Sequence, residues 1–489
     1  MPSPTETELK LALPIDDPAD LVQRLSRTAV LRRRKPQQQA LHSIYFDTPG
    51  HDLRQAQAAL RIRRVDAGAA PRWLQTLKTG APGSSALSRR GEWEVPVDGP
   101  ALEPGALDAA AWSRIDPDGT WLGALEPCFA TTFTRTIWMV RRRDGSIVEV
   151  ALDLGSVTHA GRSAPICELE LERKAGPVSA LFDIAQQIAR SVAVLPSAMS
   201  KAQRGYALAA GTIDAPTKAA APRLASRMGV REAAHRVMSE MFGHFTANLN
   251  ALLRSDDPEV VHQGRVAWRR LRSAARLFRS VLPADGRPDW STIEPLRMSL
   301  GELRDLDVAR TETLPALRED FVAGDADRAQ AWEAMEHRLA QASANQRATV
   351  RHRLQDPAVG QWLLQATRWL ETPDEGPAGT DAPSLRAWAA RRATRLHRRL
   401  VRERTAADDP RALHQVRLLA KRTRYSIEAL RGVLPRRMVR TWYAQAIDLQ
   451  RDIGSRRDLA QAIVLLERLD ARADLSAFVR GVATGRAMR

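Results

Sequence analysis

The sequence predicts an α+β protein with two parts, an antiparallel β-barrel and then an all-α domain. Short segments of alternating polar and apolar residues dominate residues 1–210. After residue 223, long stretches rich in Ala, Leu and Arg have helical spacing instead. The 489 residues suffice for two to four domains of ordinary size. We therefore place the first domain at 1–210, a Pro/Ala/Thr-rich linker at 211–223 and the helical domain at 224–485.

The β prediction rests on eight alternating segments separated by turn signals such as Asp47-Thr-Pro-Gly50. The segments are 6–10, 44–46, 59–63, 73–78, 92–95, 132–138, 147–153 and 166–172. Side chains two apart share a face, so several strands are apolar on one face and charged on the other. A charged face is usually solvated. Because eight strands can close into a barrel, a charged inner face around a wide polar lumen is the alternative.

Positive charge is concentrated in the second part of the chain. The protein has 74 Lys and Arg against 57 Asp and Glu, a net charge of +17, of which +3 lies in residues 1–210 and +14 beyond them. An excess of this size indicates a polyanionic partner. Only 7 of the cations are Lys. A GC-rich genome and the planar fork that Arg offers to phosphate both explain this bias.

Several classes of protein are excluded by composition. The two cysteines, Cys128 and Cys167, are too few for a disulfide framework. No run of about 18 apolar residues is present, and residues 1–13 lack the layout of a signal peptide. We therefore expect a soluble cytoplasmic protein without a membrane partner.

The first domain resembles the CYTH family, the triphosphate tunnel metalloenzymes. Its opening Glu6-x-Glu8-x-Lys10 matches the ExExK signature of that family. Eight further blocks follow in the family's order: Tyr45-Phe-Asp-Thr-Pro49, Leu60-Arg-Ile-Arg63, Leu77-Lys78, Arg90-x-Glu92-x-Glu94, Thr134-Arg135-x-x-Trp138, Ala151-Leu-Asp153, Glu168-Leu-Glu-Leu-Glu172 and Ser200-Lys-x-x-Arg204-Gly-Tyr206.

The resemblance implies an eight-stranded antiparallel barrel whose lumen binds a triphosphate and a divalent metal, Mg²⁺ or Mn²⁺. Carboxylate oxygens suit Mg²⁺, so the candidate metal ligands are Glu6, Glu8, Glu168, Glu170 and Glu172. The candidate phosphate-binding and catalytic cations are Lys10, Arg61, Arg63, Lys78, Arg90, Arg135, Lys201 and Arg204. Asp153 is a candidate for placing a second metal or its water. Three of the 7 lysines fall in this set, which a general drift toward Arg does not explain.

The family includes inorganic, thiamine and RNA triphosphatases and class IV adenylate cyclases. The sequence has no aromatic cluster dedicated to a base or a thiazole, because Trp73, Trp93 and Trp138 are interpreted as core. We therefore expect hydrolysis of inorganic triphosphate to pyrophosphate and phosphate.

The helical domain contains an internal repeat, with copies at about 224–375 and 382–485. Residues 261–278 align with 413–430, and Gly301-Glu-Leu-Arg-Asp-Leu306 echoes Gly454-Ser-Arg-Arg-Asp-Leu459. Histidine and cations recur every three or four residues along one helix face in both copies. These residues are His262, Arg265, Arg269, Arg272 and Arg276, then His414, Arg417, Lys421 and Arg424, with Arg270 and Arg422 flanking. No acidic residue pairs the like charges within a stripe, so a polyanion would stabilise it.

This half resembles the CHAD family, which implies two pseudo-symmetric four-helix bundles whose basic faces bind inorganic polyphosphate, often on polyphosphate granules. The histidines are either phosphate donors or partners of a backbone carbonyl or of a carboxylate such as Asp305 or Asp458. The second repeat departs from the first at Glu428, which aligns with Arg276, so the two stripes should contribute unequally.

Two alternatives remain at this stage. The first is a granule-binding protein whose barrel has lost activity. The second is a nucleic-acid-binding protein whose barrel hydrolyses thiamine triphosphate or nucleoside triphosphates. The stripes have few aromatic residues for stacking on bases, with Trp268 and Tyr425 as one per repeat, so nucleic acid is the less favoured partner.

Overall fold

The computed structural model of the protein describes residues 5–14, 17–68, 70–80, 85–371, 384–406 and 409–487. The chain forms two compact units. The first comprises Met1–Ala215, Gly286–Thr292 and Leu354–Thr372, and the second comprises Pro216–Asp285, Ile293–Arg353 and Pro373–Arg489. Among the described residues, no helix has both the length and the apolar character needed to cross a membrane.

The first unit is built on a closed eight-stranded antiparallel barrel. Its strands are β1 (Thr5–Ala12), β2 (Gln37–Asp47), β3 (Ala58–Asp66), β4 (Arg72–Thr79), β5 (Leu87–Val97), β6 (Glu126–Arg141), β7 (Ile147–His159) and β8 (Arg162–Ala175). They follow the order β5-β4-β3-β2-β6-β7-β8-β1, and β1 pairs again with β5. A two-residue strand, β9 (Leu195–Pro196), pairs antiparallel with the end of β1. Each of the eight predicted segments lies in one of these strands, so the barrel prediction is confirmed.

The barrel carries apolar residues outside and charged residues inside. On β1, Leu9 and Leu11 are fully buried in an outer core, whereas Glu8 and Lys10 alternate with them toward the lumen and are also buried. Five helices accompany the strands: α1 (Leu21–Ser26), α2 (Asp52–Gln55), α3 (Ala109–Ile115), α4 (Ser179–Ile188) and α5 (Lys201–Ala209). Because α4 covers the outer core, both faces of this part of the wall are shielded from water. The charged faces are therefore not the solvated ones that alternation usually indicates.

A helix from within the predicted helical domain belongs to the barrel unit. Helix α11 (Pro357–Glu371) contributes the buried Leu364 to the outer core beside α4. Gly360 permits close contact, since a Cβ there would lie 2.5 Å from the Val194 carbonyl oxygen. Arg368 Nη1 bonds Asp183 Oδ1 at 2.7 Å. From the sequence, this segment is expected in the first helical repeat. The apolar spacing of a helix does not show which core the helix joins.

The second unit is helical. Its helices are α6 (Val230–Leu252), α7 (Pro258–Leu277), α8 (Glu294–Val308), α9 (Arg318–Val322), α10 (Ala326–Leu354), α12 (Leu385–Thr405), α13 (Pro410–Leu430), α14 (Arg436–Arg468) and α15 (Ala473–Ala487). The long helices occur as two sets in the same order, α6-α7-α8-α10 and α12-α13-α14-α15. One core combines residues of α8, α10, α14 and α15, and α7 packs on α13. The two copies of the repeat therefore share a core.

Candidate functional site

The barrel encloses a polar cavity of about 770 Å³. Of the fourteen barrel residues predicted from the sequence, eleven line it: Glu6, Glu8, Lys10, Arg61, Arg63, Lys78, Arg90, Arg135, Glu170, Glu172 and Lys201. The lining does not include Asp153 or Glu168, which are buried in the wall, or Arg204, which is buried on α5. The alternating strands thus bring most of the predicted set to one lumen.

A cluster of three acids and one lysine forms part of this wall. Oxygens of Asp153 on β7 and of Glu168 and Glu170 on β8 lie within 4.8 Å of one another. Lys201 Nζ contacts all three, at 2.6, 2.5 and 3.0 Å respectively. A capping box at Ser200 starts α5 at this lysine and so fixes where it enters the wall. The cluster is therefore held together by an internal ammonium.

Further cations complete the neutralisation of this cluster. Arg135 binds Asp153 through Nε and Nη2, at 2.7 and 2.6 Å, and contacts Glu170 at 2.5 Å. Lys10 Nζ lies 3.0 Å from Glu170. Although burial opposes their ionisation, the facing cations hold the pKa of Asp153 and Glu170 below the usual carboxyl range. These buried acids are consequently ionised.

The two glutamates of the ExExK signature form a second group. Glu6 accepts from Lys78 Nζ at 2.8 Å and from Arg90 Nε at 3.2 Å, and Glu8 pairs with Arg90 Nη2. Lys78 also contacts Glu92 at 2.9 Å. The structure therefore does not bring Glu6 and Glu8 into the cluster of Asp153, although Lys10 lies between Glu8 and Glu170.

Glu172 lies in a third environment. It pairs with Lys174 at 2.6 Å and faces Glu8 and Glu149 across the neighbouring strands. Burial is the largest influence on its carboxyl group and raises its pKa, and Glu6 and Glu149 add to this against the opposing effect of Lys174. Glu6, Glu8, Glu149, Glu170 and Glu172 all line the cavity, so this stretch of the wall is rich in carboxylate oxygens.

Arg61 and Arg63 form the cationic side of the cavity. Arg63 is 8% exposed, and its Nε donates to Ser43 Oγ at 3.0 Å. No carboxylate pairs with it within 4.0 Å among the described residues. Burial, then Arg61 and Arg135, lower the pKa of its guanidinium to about 9. Arg63 is thus a buried cation for which the lumen supplies neutral partners.

The positive charge of Arg61 is only partly neutralised, because its nearest carboxylates lie at long distances. Its Nη2 lies 4.0 and 3.9 Å from Glu92 and Glu94, and its Nε donates to Thr76 Oγ1 at 3.3 Å. Its Nη1 lies 3.5 Å from the Tyr45 hydroxyl. Despite burial, Arg61 and Arg63 lower the pKa of that phenol.

The sequence analysis assigned no role to several residues of this site. Tyr45, Glu92 and Glu94 stand in quoted family blocks and line the cavity. Phe133 lies under three cations, with Lys201 Nζ 4.9 Å from its ring centre and Arg63 and Arg135 within 6 Å.

The Tyr-Phe-Asp-Thr-Pro block is explained by Asp47, which accepts hydrogen bonds from the backbone N–H groups of Thr48, Leu53 and Arg54 and from the Tyr206 hydroxyl. Asp47 thereby ties β2 to α5.

The donors of the cavity suit a hard divalent cation. The carboxylates that face the lumen leave room for water, which Mg²⁺ retains. The cluster of Asp153, Glu168 and Glu170 is instead filled by Lys201, and a metal there would have to displace an ammonium 2.5–3.0 Å from three oxygens. Glu6, Glu8 and Glu172 lie outside this cluster, and Glu170, although it also contacts Lys201, lines the cavity, whereas Glu168 does not. These four glutamates therefore fit the metal better than Glu168 does.

In the helical unit, the predicted basic residues divide by burial. Arg265, Arg269, Arg272, Lys421, Arg422 and Arg424 are partly exposed and Arg276 is exposed. Arg417 is buried, and the side chain of His414 lies outside the described residues. Gly301 of the repeated Gly/Asp block leaves space for Arg265, since a Cβ would lie 2.6 Å from Arg265 Nη1.

Arg270 is a correction to the predicted surface set. It is 1% exposed, and its Nη2 donates to the Ala220 carbonyl at 2.6 Å and pairs with Glu428 at 3.0 Å. Its Nη1 lies 3.4 Å from His244 Nδ1. The helical spacing placed Arg270 beside the stripe but did not show that α13 covers it.

His262 is partly buried beside two cations. Burial, Arg304 and Arg269 lower the pKa of its imidazole, so it is neutral at pH 7. Arg304 of α8, which itself bonds Glu312 at 2.7 Å, is therefore a cation near the first basic stripe. Arg392 and Arg399 of α12 likewise lie near Arg422.

Comparison with known proteins agrees with both halves. Residues 4–206 match the CYTH domain, and residues 236–467 match the CHAD domain. The chain therefore has a CYTH domain followed by a CHAD domain.

Individual relatives match parts of the chain. An inorganic triphosphatase of Haemophilus influenzae is 33% identical over 204 residues, which are 42% of this chain and 54% of that protein. The chain thus spans about half the length of this relative. The CHAD domain from the plant Ricinus communis is 26% identical, with a TM-score of 0.48, and the match covers 56% of this chain and 92% of that one. A Hippeastrum protein described as revealing a dominant triphosphatase activity is 20% identical, with a TM-score of 0.30, over 42% of this chain and 96% of its own.

Replacing Lys201 by Met should reverse the pH dependence of stability. In the metal-free wild type, depressed carboxyl pKa values stabilise the fold above the unfolded-state pKa, and this contribution is lost as the pH falls. Without the ammonium, Arg135 and Lys10 still face Asp153 and Glu170, but three buried carboxylates share fewer cations. Burial and mutual repulsion should then raise the pKa of at least one of them above its unfolded value, so its protonation favours folding. From about pH 7 to pH 5, we expect the Tm of K201M to rise and that of the wild type not to rise.

Lys35→Met is the control, because it removes the same charge from an exposed side chain of the same unit, away from the acidic cluster. It should keep the wild-type direction. A Tm for K201M that falls with the pH in parallel with the wild type would contradict the structural role assigned to Lys201.

Proposed function

We propose that the barrel hydrolyses inorganic triphosphate with a divalent metal, and that the helical unit binds inorganic polyphosphate. The observation that carries the first part is Arg63, a buried cation in the lumen with neutral partners and a pKa lowered to about 9. A buried charge without a counter-ion is costly, so the lumen without a ligand lacks an anion for Arg63. A bound anion would supply what Arg63 lacks.

The cations of the lumen suit a chain of phosphates. Tripolyphosphate has about four to five negative charges, and guanidinium forks match its oxygens. Arg63 and Arg135 lie over the Phe133 ring, and Arg61 contacts the Tyr45 hydroxyl. Lys78 and Arg90 bind Glu6 and Glu8. We infer that Lys78 and Arg90 turn from carboxylate to phosphate on binding. Positioning and neutralisation of phosphoryl charge are the main sources of catalysis in such a reaction.

Glu6, Glu8, Glu170 and Glu172 are proposed to hold the metal. A bound Mg²⁺ or Mn²⁺ would acidify a water molecule and neutralise phosphate oxygens. Asp153 and Glu168 keep their bonds to Lys201 and Arg135 and so fix the positions of these cations in the wall.

An inorganic substrate is preferred to a nucleotide or thiamine triphosphate for a steric reason. The tyrosine rings at the cavity are already engaged, since Tyr45 stacks on Phe129 at 4.8 Å and Tyr206 meets Phe129 edge-on at 5.0 Å. Stacking on a base would therefore disrupt packed contacts. The activity of the Haemophilus influenzae relative supports the same choice.

Replacing Arg63 by Met should lower kcat for tripolyphosphate by about 10²–10³-fold, as expected for loss of one donor to a developing charge. Phosphate release from tripolyphosphate, thiamine triphosphate and ATP, with and without Mg²⁺, measures this. Arg64→Met is the control, because Arg64 is the next residue on β3, is exposed and pairs with Asp66. Equal losses in both variants, or no Mg²⁺-dependent release by the wild type, would refute the proposed activity.

Replacing Glu8 and Glu172 together by Gln should weaken metal binding. Two hard ligands are lost without a change in size, so we expect the Kd for Mn²⁺ to rise at least about tenfold. Isothermal titration with Mn²⁺ measures this without reference to activity. Glu126→Gln, at the exposed start of β6, should leave the affinity unchanged. An unaltered Kd in the double variant would place the metal elsewhere.

Polyphosphate is proposed as the ligand of the helical unit because its excess charge lies on partly exposed arginines of α7, α12 and α13. The aromatic residues beside them are buried, with Trp268 tilted on Phe245 at 5.3 Å. These rings are not available to stack on bases.

A competition experiment separates the two kinds of polyanion. Labelled polyphosphate bound to the full chain should be displaced by unlabelled polyphosphate at a lower phosphate concentration than by single-stranded RNA. Divalent metal is left out of the measurement, so that the barrel does not hydrolyse the labelled chain. Displacement by RNA at equal phosphate concentration would favour a nucleic-acid-binding function instead.

A further inference from the structure

The two copies of the helical repeat place equivalent residues at the contact between α7 and α13. Both helices begin at a proline, Pro258 and Pro410, and this register makes Arg270 equivalent to Arg422. In the same register, Arg276 is equivalent to Glu428. If the copies are related by a twofold axis, contact between Arg270 and Glu428 requires that Arg422 lie near Arg276.

The position around Arg270 is closed by the protein itself. Arg270 is 1% exposed, and Glu428 supplies its counter-ion at 3.0 Å. The Ala220 carbonyl accepts a bond from the same guanidinium at 2.6 Å. With its charge neutralised and its surface covered, this arginine offers nothing to an external anion.

The position around Arg422 has the opposite character. In the repeat register, Arg276 takes the place of the missing carboxylate. Helix α12, which carries Arg392 and Arg399, packs on the helix of Arg422, and Arg392 bonds Ser280 just beyond the end of α7. Burial, then Arg276, Arg399 and Arg392, lower the pKa of the Arg422 guanidinium. Among the described residues, neither Arg276 nor Arg422 has a carboxylate partner within 4.0 Å.

The remaining contacts of this cluster are weak competitors for an anion. Arg392 Nη2 donates to Ser280 Oγ at 2.9 Å, and Arg399 Nε lies 3.5 Å from Glu403, one helical turn away. An exposed pair of this kind contributes little stability. Among the residues that the structure describes, the one carboxylate within 4.0 Å of any of these four guanidinium groups is therefore the partly exposed Glu403.

We propose that the helical unit binds phosphate chains asymmetrically, at Arg276, Arg392, Arg399 and Arg422, while Glu428 closes the equivalent position at Arg270. This inference rests on the proposed binding of polyphosphate. It assigns the anion to one of two repeated positions and adds Arg392 and Arg399 to the site. Mutual repulsion in the free cluster is relieved when a multiply charged phosphate binds, which favours a chain over a single phosphate.

The test compares two double variants of α12 in the full chain. Arg392→Gln with Arg399→Gln should weaken binding of a polyphosphate of one defined length by about tenfold or more. Arg391→Gln with Arg398→Gln removes the same charge one residue earlier on the helix, from exposed side chains on a neighbouring face. This control should change the affinity less than threefold, since only long-range attraction is lost. Isothermal titration of both variants and the wild type supplies the Kd values.

A gain-of-charge variant tests the closed position. Glu428→Arg restores the residue type of the first repeat and leaves Arg270 without its counter-ion. Its Tm without ligand should be lower than that of the wild type, and polyphosphate should raise its Tm by more than it raises that of the wild type. Glu428→Gln removes the counter-ion without adding a cation and should show the lower Tm with a smaller rise.

The outcomes separate this inference from the proposed function. If isothermal titration detects no binding of polyphosphate to the wild type, the proposed polyphosphate-binding function is wrong. Binding by the wild type with equal losses in the two α12 double variants would overturn the asymmetric site alone. A Tm of E428R that polyphosphate raises no more than that of the wild type would likewise exclude Glu428 as the residue that closes the first position.

Discussion

The structure of the barrel depends on charge compensation within a closed wall. Charged side chains from the inner faces of β1, β3, β4, β5, β6, β7 and β8 line the lumen, most of them buried or partly buried. Removing one partner of a buried pair typically costs about 3–5 kcal/mol. Lys201 illustrates the solution, because one ammonium contacts three carboxylates. The wall is consequently stable only as a set of matched charges. Arg63 is the exception that leaves the lumen receptive to an anion.

The sequence predicted the strands well because alternation is a local property. Eight segments with period two identified eight strands, and their polar faces together with the blocks shared with the CYTH family identified eleven residues of the lumen. Pairing within the lumen is not local. Barrel closure brings Glu168 to Lys201 and Glu6 to Lys78. The family resemblance, which grouped Glu6 with Glu168 as metal ligands, did not show that the two have different cationic partners.

The helical unit shows the same limit in another form. Arg270 and Arg422 occupy matching places in similar helices, and nothing in their neighbouring residues distinguishes a buried arginine from a partly exposed one. The difference arises from Glu428, which lies far along the chain and packs against α7. The alignment of the repeats had marked Glu428 as a departure, but the identity of its partner required the packing of α7 on α13.

Helix α11 has a consequence for how the protein forms during synthesis. The strands of the barrel are complete by residue 175, yet part of the outer core beside α4 waits for Leu364, after more than half of the helical sequence has been made. Domains usually fold as units, with the N-terminal one first. Here the newly made barrel would have part of its apolar outer surface exposed to water. Helix α11, which lies within the helical part of the sequence, would cover that surface later. Dividing the chain within residues 211–223 would therefore separate the barrel from helix α11, which completes its outer core.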